Sequence, residues 1–326
     1  MGAGWYHRVA LLQSVAPAAA RYMSKRKPRP KIYSPRVWGT WALVGLGWLI
    51  ARLPLRVSIA LGKAMGRAAF FLARDRRHIA DVNLRLCFPE LSRAERQSLI
   101  RRNFAHVGVG LVETMITWLN PRLRIHDRFT INGAEHVEHA QRLGRGVLLL
   151  SAHFTCIDIG SQPFSRIAKT DVMYRENKNP VWEWLQTRGR RHYFDHVLER
   201  GQVREALRGL KAGNTLWYAA DQDYGPKHSV FAPFFGIPAA TITATARLAA
   251  FNNSPVLFMT QTRDLDNLTW RMDISPPISG FPCGDELADT SRINALIEAA
   301  VRKHPEQYLW LHRRFKTRPQ GEQRPY

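Results

Sequence analysis

The hydrophobic pattern divides the chain at about residue 128. Upstream of it, apolar positions recur at helical spacing. Val37 to Ala51 form fifteen consecutive residues without a charge, bracketed by Arg36 and Arg52, with Trp38, Trp41 and Trp48 inside. Residues 55–75 read as an amphipathic helix with small residues at Gly62, Ala64, Gly66, Ala68 and Ala69. Pro89 ends the next element, and Ser92 with Glu95 has the spacing of a capping box. Apolar residues at 100, 104, 107, 111, 115 and 118 then predict a long helix that stops before Asn120-Pro121.

Downstream, short apolar runs alternate with polar helical stretches. Strands are predicted at 129–132, 146–152, 171–175, 215–220, 255–262 and 268–274. Helices are predicted at 155–167, 179–190, 201–211, 241–252 and 289–303. This alternation predicts an α/β fold, a largely parallel sheet flanked by helices. Ahead of it stands an N-terminal membrane-attached helical segment. Three stretches follow: a basic extension over 1–31 expected to be disordered, a membrane anchor helix over 32–54, and an α/β domain over 55–326 whose first part is helical.

The anchor is the least regular of the three. A helix crossing the hydrocarbon core needs roughly 20 apolar residues, with about 17 as a practical minimum. Fifteen is short, although arginines can snorkel and Leu53 to Leu55 extend the apolar surface. An inserted helix is the favoured reading, ahead of an interfacial helix and a buried core helix. The run KRKPRPKIYSPR before it would attract anionic lipid and, by the positive-inside rule, stay in the cytoplasm. Basic residues after Arg52 pull the other way, so a helix that enters and stays near the cytoplasmic leaflet satisfies both flanks. Within 1–22, VALLQSVAPAAA has the look of a weak signal-peptide core. Met23 opens the basic flank, which favours an unstructured extension or an upstream start codon over a cleaved signal. MGAGWY lacks the Ser/Thr that myristoylation expects.

Charge changes the picture of the first third only. The chain carries 48 Lys+Arg against 26 Asp+Glu, a net +22 that invites nucleic acid as a partner. The first 102 residues hold 20 basic and 4 acidic residues, a balance of +16, and the other 224 hold 28 and 22, a balance of +6. The basic excess thus gathers around the apolar helix, which argues for membrane lipid and against nucleic acid. Hydrophobic residues at 45% and charged ones at 23% exclude a disordered, collagen-like or coiled-coil chain. Cys87, Cys156 and Cys283 form neither a disulfide framework nor a CxxC pair, which fits a reducing compartment.

The candidate chemistry sits where the most hydrophobic strand ends, at Ser151-Ala152-His153-Phe154-Thr155-Cys156-Ile157-Asp158. Ends of strands in an α/β sheet are where sites are built. His153 is a candidate general base near neutral pH, with a carboxylate to fix its tautomer. Five residues along a straight helix put side chains about 140° apart. His153 and Asp158 meet only if His153 lies in the turn before the helix and Asp158 reaches back to it. HxxxxD alone is also what a polar helix start would give. Cys156, inside an apolar helix start, reads as a packed thiol rather than a nucleophile. The chain contains no HExxH, GxxxxGK[ST], GxSxG or GxGxxG, which removes the commoner zinc, nucleotide and serine-hydrolase readings.

Three more blocks complete the pattern: Tyr174 to Pro180 with Trp182, Trp184 and Arg188 to Arg191 following; Ala220 to Pro226 leading into SVFAPFFGIPAAT; and Glu306 to Lys316 (EQYLWLHRRFK). Together with SAHFTCID, they resemble the lysophospholipid-acyltransferase superfamily. Within it they are similar to the lauroyl/myristoyl acyltransferases that add secondary acyl chains to lipid A in Gram-negative bacteria. SPRVWGTW, GLGWLIARLP and NLRLCFPELS match the same branch, so the resemblance runs from about Ile32 to the C-terminus. It implies an acyltransferase in the bacterial inner membrane, its catalytic domain facing the cytoplasm. The donor would be an acyl carrier protein thioester, and the acceptor a hydroxyl of a 3-hydroxyacyl chain on a lipid A precursor, Kdo-lipid IVA. No cofactor, metal or nucleic acid is expected; the implied partners are acyl carrier protein, the lipid A precursor and inner-membrane lipids.

The resemblance also implies roles. His153 would take the proton from the attacking hydroxyl, and Asp158 would orient it; many lipid A members carry Glu there, and Asp has a shorter reach. Arg175, after a short strand, would clamp a phosphate or the oxyanion. Lys178 and Arg188 to Arg191 would meet substrate phosphates, or form a solvated basic face. Asp221 would bind sugar, hold Arg175, or cap a loop. Asp223 is a further candidate substrate contact, although with Tyr224 and Gly225 it reads as shaping a turn. PFFGIP would line an acyl tunnel or pack the core. Tyr308 to Lys316 reads as part of the site or as a final strand with a basic tail, and His312 as structural. The alternatives are an acyltransferase for another lipid, such as a lysophospholipid or glycolipid, and a noncatalytic basic adaptor for membrane or nucleic acid.

Overall fold

The computed structural model describes residues 31–326, so the extension expected over 1–31 lies, apart from Lys31, outside the described residues. Four helices open the structure: α1 (Trp38–Ile50), α2 (Leu55–Leu72), α3 (Arg74–Cys87) and α4 (Arg93–Leu119). The helix predicted over 55–75 stops earlier, because Ala73 leaves helical geometry (φ −91°, ψ 68°) and separates α2 from α3. The capping box forms: Ser92 Oγ accepts from the Glu95 N–H at 3.3 Å, and Glu95 Oε2 accepts from the Ser92 N–H at 2.9 Å. Both groups satisfy orphan donors of the first turn of α4.

The apolar stretch expected as the anchor forms a helix shorter than a membrane span. α1 has 13 residues, about 20 Å at 1.5 Å per residue, against a hydrocarbon core of about 30 Å. Among the described residues, no helix is long and apolar enough to cross a membrane. One side of α1 is packed: Val44 is buried with Met115, Val181 and Leu185. The remainder exposes Trp38, Leu43, Leu46, Trp48 and Leu49. α2 packs closely on α4, and glycines permit the approach. A Cβ on Gly66 would stand 2.1 Å from the Phe104 carbonyl oxygen, and one on Gly108 would stand 2.2 Å from that of Gly62.

The α/β part follows as β1 (Phe129–Asn132), α5 (Ala134–Arg142), β2 (Val147–Ser151), α6 (Ser161–Phe164), β3 (Thr170–Tyr174), α7 (Pro180–Arg190), β4 (His196–Glu199), α8 (Val203–Lys211) and β5 (Thr215–Ala219). It continues with β6 (Ser229–Phe234), β7 (Ile237–Ile242), α9 (Ala244–Asn252), β8 (Val256–Asp264), β9 (Thr269–Ile274) and α10 (Glu286–Lys303). Seven strands form one sheet in the order β1-β9-β8-β2-β5-β3-β4. The run from β8 to β4 is parallel throughout; β9 turns back antiparallel to β8 and carries β1 parallel to itself. The largely parallel sheet is therefore present.

β2 lies between β5 and β8 and is buried along its whole length. Leu148 and Leu150 enter the apolar cluster that contains Ile100 and Phe104 of α4. Val147 and Leu149 enter another with Val137 and Ala140 of α5. A strand covered on both faces reads as a continuous apolar run rather than an alternation, which is why VLLL was legible.

Four local differences from the sequence reading bear on the site. The helix expected over 155–167 is instead a series of turns through Gly160 and a four-residue helix, α6, with Pro163 in it. The final strand expected after Tyr308 reduces to an isolated bridge between Tyr308 and Phe154, followed by turns. β4 and α5 were missed, because each is short and offers few buried positions: Leu198 in one, Val137 and Ala140 in the other. PFFGIP belongs to the β6–β7 hairpin, where Pro233 stands opposite Pro238 and the two prolines hide the strand pattern.

The helical third is fixed to the sheet by an internal ion pair. Arg263 of β8 donates from Nη2 to Glu113 Oε2 of α4 at 2.7 Å, and Trp270 Nε1 of β9 donates to Glu113 Oε1 at 2.8 Å. Burial raises the Glu113 carboxyl to about 6 even though the Arg263 charge and the two hydrogen bonds pull it down.

Candidate active site

β2 and β5 are parallel neighbours, with Ser151 opposite Ala219. Continuing that register two residues past both strand ends sets His153 opposite Asp221. His153 Nδ1 lies 2.5 Å from Asp221 Oδ1, and the His153 backbone N–H donates to Oδ2 at 2.9 Å. One carboxylate thus fixes both the ring and the backbone of the histidine. It assigns the proton to Nδ1 and leaves Nε2 as the basic nitrogen.

This corrects the pairing expected from HxxxxD. With no regular helix after His153, Asp158 turns to a different partner. Arg190, the last residue of α7, donates to Asp158 Oδ1 from Nη2 at 3.0 Å and from Nε at 3.3 Å. Thr114 Oγ1 of α4 lies 3.4 Å from Oδ2. The Arg190 guanidinium also rests over the Trp118 ring, 5.7 Å from its centroid. α4 comes this close because residue 110 is glycine; a Cβ there would lie 2.0 Å from the Thr155 carbonyl oxygen. Asp158 and Arg190 still act on His153, through charge rather than direct contact.

The electrostatics follow from burial and pairing. Burial pushes the His153 imidazole down. The charge and hydrogen bond of Asp221, with Asp158 behind them, outweigh it and the opposing Arg190, so His153 stands above the ordinary histidine value. For Asp221, burial would raise the carboxyl, yet His153 and the hydrogen bonds it receives drive it well below the usual carboxylate range. Asp221 remains an anion wherever His153 titrates. His153 keeps 26% of its side chain exposed and Asp221 only 2%. His153 faces a cleft that it lines with Asp221, Gln222, Tyr308 and His312.

The other predicted residues divide. Arg175 and Lys178 are exposed, just past the end of β3 and in the loop before α7. Asp223 is buried and committed to the chain itself. Gly225 N–H and Thr317 Oγ1 donate to Oδ1 at 2.8 and 2.9 Å, and Thr317 N–H donates to Oδ2 at 2.8 Å. It holds the turn and the C-terminal tail. His312 Nε2 accepts from the Asp223 N–H at 3.3 Å, and burial, partly offset by Asp221, pushes its ring down to about 4. Cys156 is buried, its thiol pushed up to about 12 by burial and its Sγ directed at the Gln261 carbonyl, so it is a packed thiol. No group of three His, Cys, Asp or Glu side chains is arranged to hold a metal among the described residues. Sequence reasoning missed Arg190 as an individual; it stood within the Arg188 to Arg191 run, and only its place at the end of α7 sets it apart.

Comparison with known proteins gives the family of the chain. Residues 25–317 match the family model described as bacterial lipid A biosynthesis acyltransferase. A lipid A biosynthesis lauroyltransferase of Escherichia coli (strain K12) is 38% identical over 288 residues, covering 88% of this chain and 94% of the relative. A lipid A biosynthesis palmitoleoyltransferase of the same organism is 38% identical over 293 residues, 90% and 95% of the two chains. A lipid A biosynthesis myristoyltransferase, also from Escherichia coli, is 29% identical over 294 residues, 90% and 91%. An adaptor without catalysis does not fit these relatives. A histidine–carboxylate pair past the strand ends, an arginine–carboxylate pair beside it and a match along nine-tenths of the sequence lead to one conclusion: this chain belongs to the bacterial lipid A biosynthesis acyltransferases.

Proposed function

We propose that the enzyme moves a fatty acyl chain from an acyl carrier protein thioester to a hydroxyl of a 3-hydroxyacyl chain on a lipid A precursor, Kdo-lipid IVA. The observation that carries the mechanism is the His153–Asp221 contact, which leaves Nε2 as the proton acceptor on a residue lining the cleft. Nε2 takes the acceptor hydroxyl's proton as its oxygen attacks the thioester carbonyl. The C–O bond forms, the carbonyl becomes an oxyanion, and Asp221 stabilises the imidazolium. Collapse breaks the C–S bond, and the imidazolium returns its proton to the departing thiolate. Arg190, aimed by Asp158, is the cationic donor for the oxyanion. Asp158 therefore acts through the arginine, and Asp221 takes the orienting role. The thioester supplies the activation, so the reading requires no cofactor or metal.

The exposed cations Arg175 and Lys178 are assigned to the acceptor's phosphates. The acidic acyl carrier protein is drawn by the basic surface through steering. Attachment to the cytoplasmic face of the inner membrane is assigned to α1 and α2. Val57, Leu61 and Met65 are exposed at spacings of four, one apolar stripe along α2, and α1 adds its own exposed Leu and Trp residues. Arg52 stacks on Trp48, 3.7 Å from the ring centroid, at the junction of the two helices. With one face packed on the protein and the other apolar and exposed, the two helices are assigned to the interface rather than to a span.

The decisive experiment incubates purified enzyme with acyl carrier protein thioesters and a Kdo-bearing tetraacyl precursor, followed by mass spectrometry. A mass gain of one acyl chain is expected. No gain, from an enzyme that acylates a lysophospholipid instead, would sink the reading.

A further inference from the structure

Three neighbouring strands, in the order β2, β5 and β3, run parallel and end on the same edge of the sheet. The loops after β2 and β5 carry His153 and Asp221. The loop after β3, residues 175–179, carries Arg175 and Lys178, both exposed. A strand spacing of about 4.8 Å sets the ends of β2 and β3 about 10 Å apart, so this loop borders the reacting pair. The Arg200 N–H donates to the Tyr174 carbonyl at 2.9 Å, and the Arg200 guanidinium lies over the Tyr224 ring, 5.7 Å from its centroid. The start of the loop is thereby tied to the turn that follows Asp221.

The loop is fastened from within by one half-buried carboxylate. Glu183, in the first turn of α7, reaches back with both oxygens. The Tyr174 hydroxyl donates to Oε1 at 2.6 Å, and the Asn177 N–H donates to Oε2 at 2.7 Å. Burial and the Glu183 contact hold the Tyr174 hydroxyl above the usual phenol range, so it remains a donor. Asn177 Oδ1 in turn accepts from the Asn179 N–H at 3.0 Å, and Asn179 Oδ1 caps α7 from Val181 and Trp182 at 3.0 and 3.3 Å. The far end of the loop joins α1: Asn179 Nδ2 donates to Thr40 Oγ1 at 2.9 Å, and the Trp41 and Trp184 rings meet at 5.3 Å between centroids. Two exposed cations thus stand between the cleft and the helix assigned to the membrane interface, where a lipid holds its phosphates.

We propose that Glu183 is a positioning residue that holds the 175–178 loop in the conformation presenting Arg175 and Lys178 to a phosphate of the lipid acceptor. The proposal rests on the assignment of those two cations to the acceptor's phosphates. A loop ordered in advance loses less conformational freedom when the phosphate arrives, so its fastening is felt in binding. The sign of the effect separates this role from simple charge. As a bare anion near a phosphate, Glu183 would weaken binding, and its removal would lower KM. As the fastening of the loop, its removal raises KM.

The test measures kcat and KM of full-length enzyme in uncharged detergent without phospholipid. The acceptors are the bisphosphorylated Kdo-bearing tetraacyl precursor and the same precursor lacking one or the other phosphate. Glu183→Ala should raise KM for the bisphosphorylated acceptor about tenfold, with kcat within about twofold of wild type. On one of the two trimmed acceptors the rise should vanish. Glu183→Gln should return KM to within about threefold of wild type, because its amide can accept from the Asn177 N–H and donate to the Tyr174 hydroxyl oxygen. An unchanged or lower KM in Glu183→Ala, an equal rise on all three acceptors, or no rescue by Glu183→Gln overturns the proposal. A fall in kcat alone would show that α7 had moved, and Arg190 with it, and overturns the proposal too. Should Glu183→Ala fail to fold, Tyr174→Phe removes one of the two donors and should raise the same KM about threefold; no rise overturns the proposal. Arg175→Ala and Lys178→Ala test the assignment beneath it. If neither raises KM for the bisphosphorylated acceptor, the phosphate assignment fails and the proposal with it. If they raise it and Glu183→Ala does not, the proposal fails alone. Weaker binding of Glu183→Ala to acceptor-free phosphatidylglycerol vesicles, at unmoved KM in detergent, would give the loop to bilayer phosphates and overturn the proposal.

Discussion

The sheet carries two histidine–aspartate pairs, one near each end of its strands, and they share their local chemistry. His153 contacts Asp221 through Nδ1 at 2.5 Å, and His196 contacts Asp171 through Nδ1 at 2.8 Å. Each links neighbouring parallel strands: β2 with β5 in one case, β3 with β4 in the other, where Asp171 and His196 are register partners. Both carboxylates are 2% exposed. The surroundings differ. Asp171 is the second residue of its strand, and its oxygens are shared with Asn214 Nδ2 at 3.2 Å each. Its histidine keeps 65% of its side chain in solvent, where charge is screened. His153 keeps 26%, and Asp158, Arg190 and the Tyr308 segment close around it. A histidine–aspartate contact is thus a by-product of strand pairing. A second charged pair, a cleft and partial exclusion of water set His153 apart and are what the proposed base role rests on.

Four measurements test this contrast. The largest effect is expected for His153→Ala, a loss of about 10²–10⁴-fold in acyl transfer. A variant within tenfold of wild type would break the comparison at its stronger end. Arg190→Gln removes the donor held against Asp158 and should lower kcat by roughly 10²–10³-fold, the usual scale for an oxyanion donor. A change in KM alone would move Arg190 from the oxyanion to substrate binding.

The third effect is on pH. His153 must be neutral to accept a proton, and its value is raised, so activity should fall as pH drops through an inflection above the ordinary histidine value of about 6.5. An inflection at or below that value would remove the dominance of Asp221 over burial. The smallest effect is expected for His196→Ala. Transfer should stay within about twofold, while thermal denaturation should register a loss of about 1–3 kcal/mol, because the buried Asp171 carboxylate loses one of its hydrogen-bond partners and keeps Asn214. A tenfold loss of transfer there would erase the distinction between the two ends.

Legibility followed the range of the interaction. The VLLL strand, the Ser92–Glu95 cap and the helix ending at Leu119 were readable because burial on two faces, a three-residue hydrogen bond and helical periodicity are local. Elements with few buried side chains, such as β4 and α5, left too little pattern to read. The apolar stretch at 37–51 was found, but its length as a helix depended on Arg52, Leu53 and Pro54 turning the chain into α2.

The sequence by itself determined that His153 and Asp221 each follow a strand end. It also determined that basic charge gathers around one apolar helix, and which family the motifs resemble. It could not determine that β5 lies beside β2, because strand order is decided by the packing of the whole sheet. That adjacency, with its register, turns two residues 68 positions apart into a pair. The same packing sends Asp158 to Arg190 instead, since a chain that turns through Gly160 rather than forming a helix cannot return the carboxylate to the histidine five residues before it.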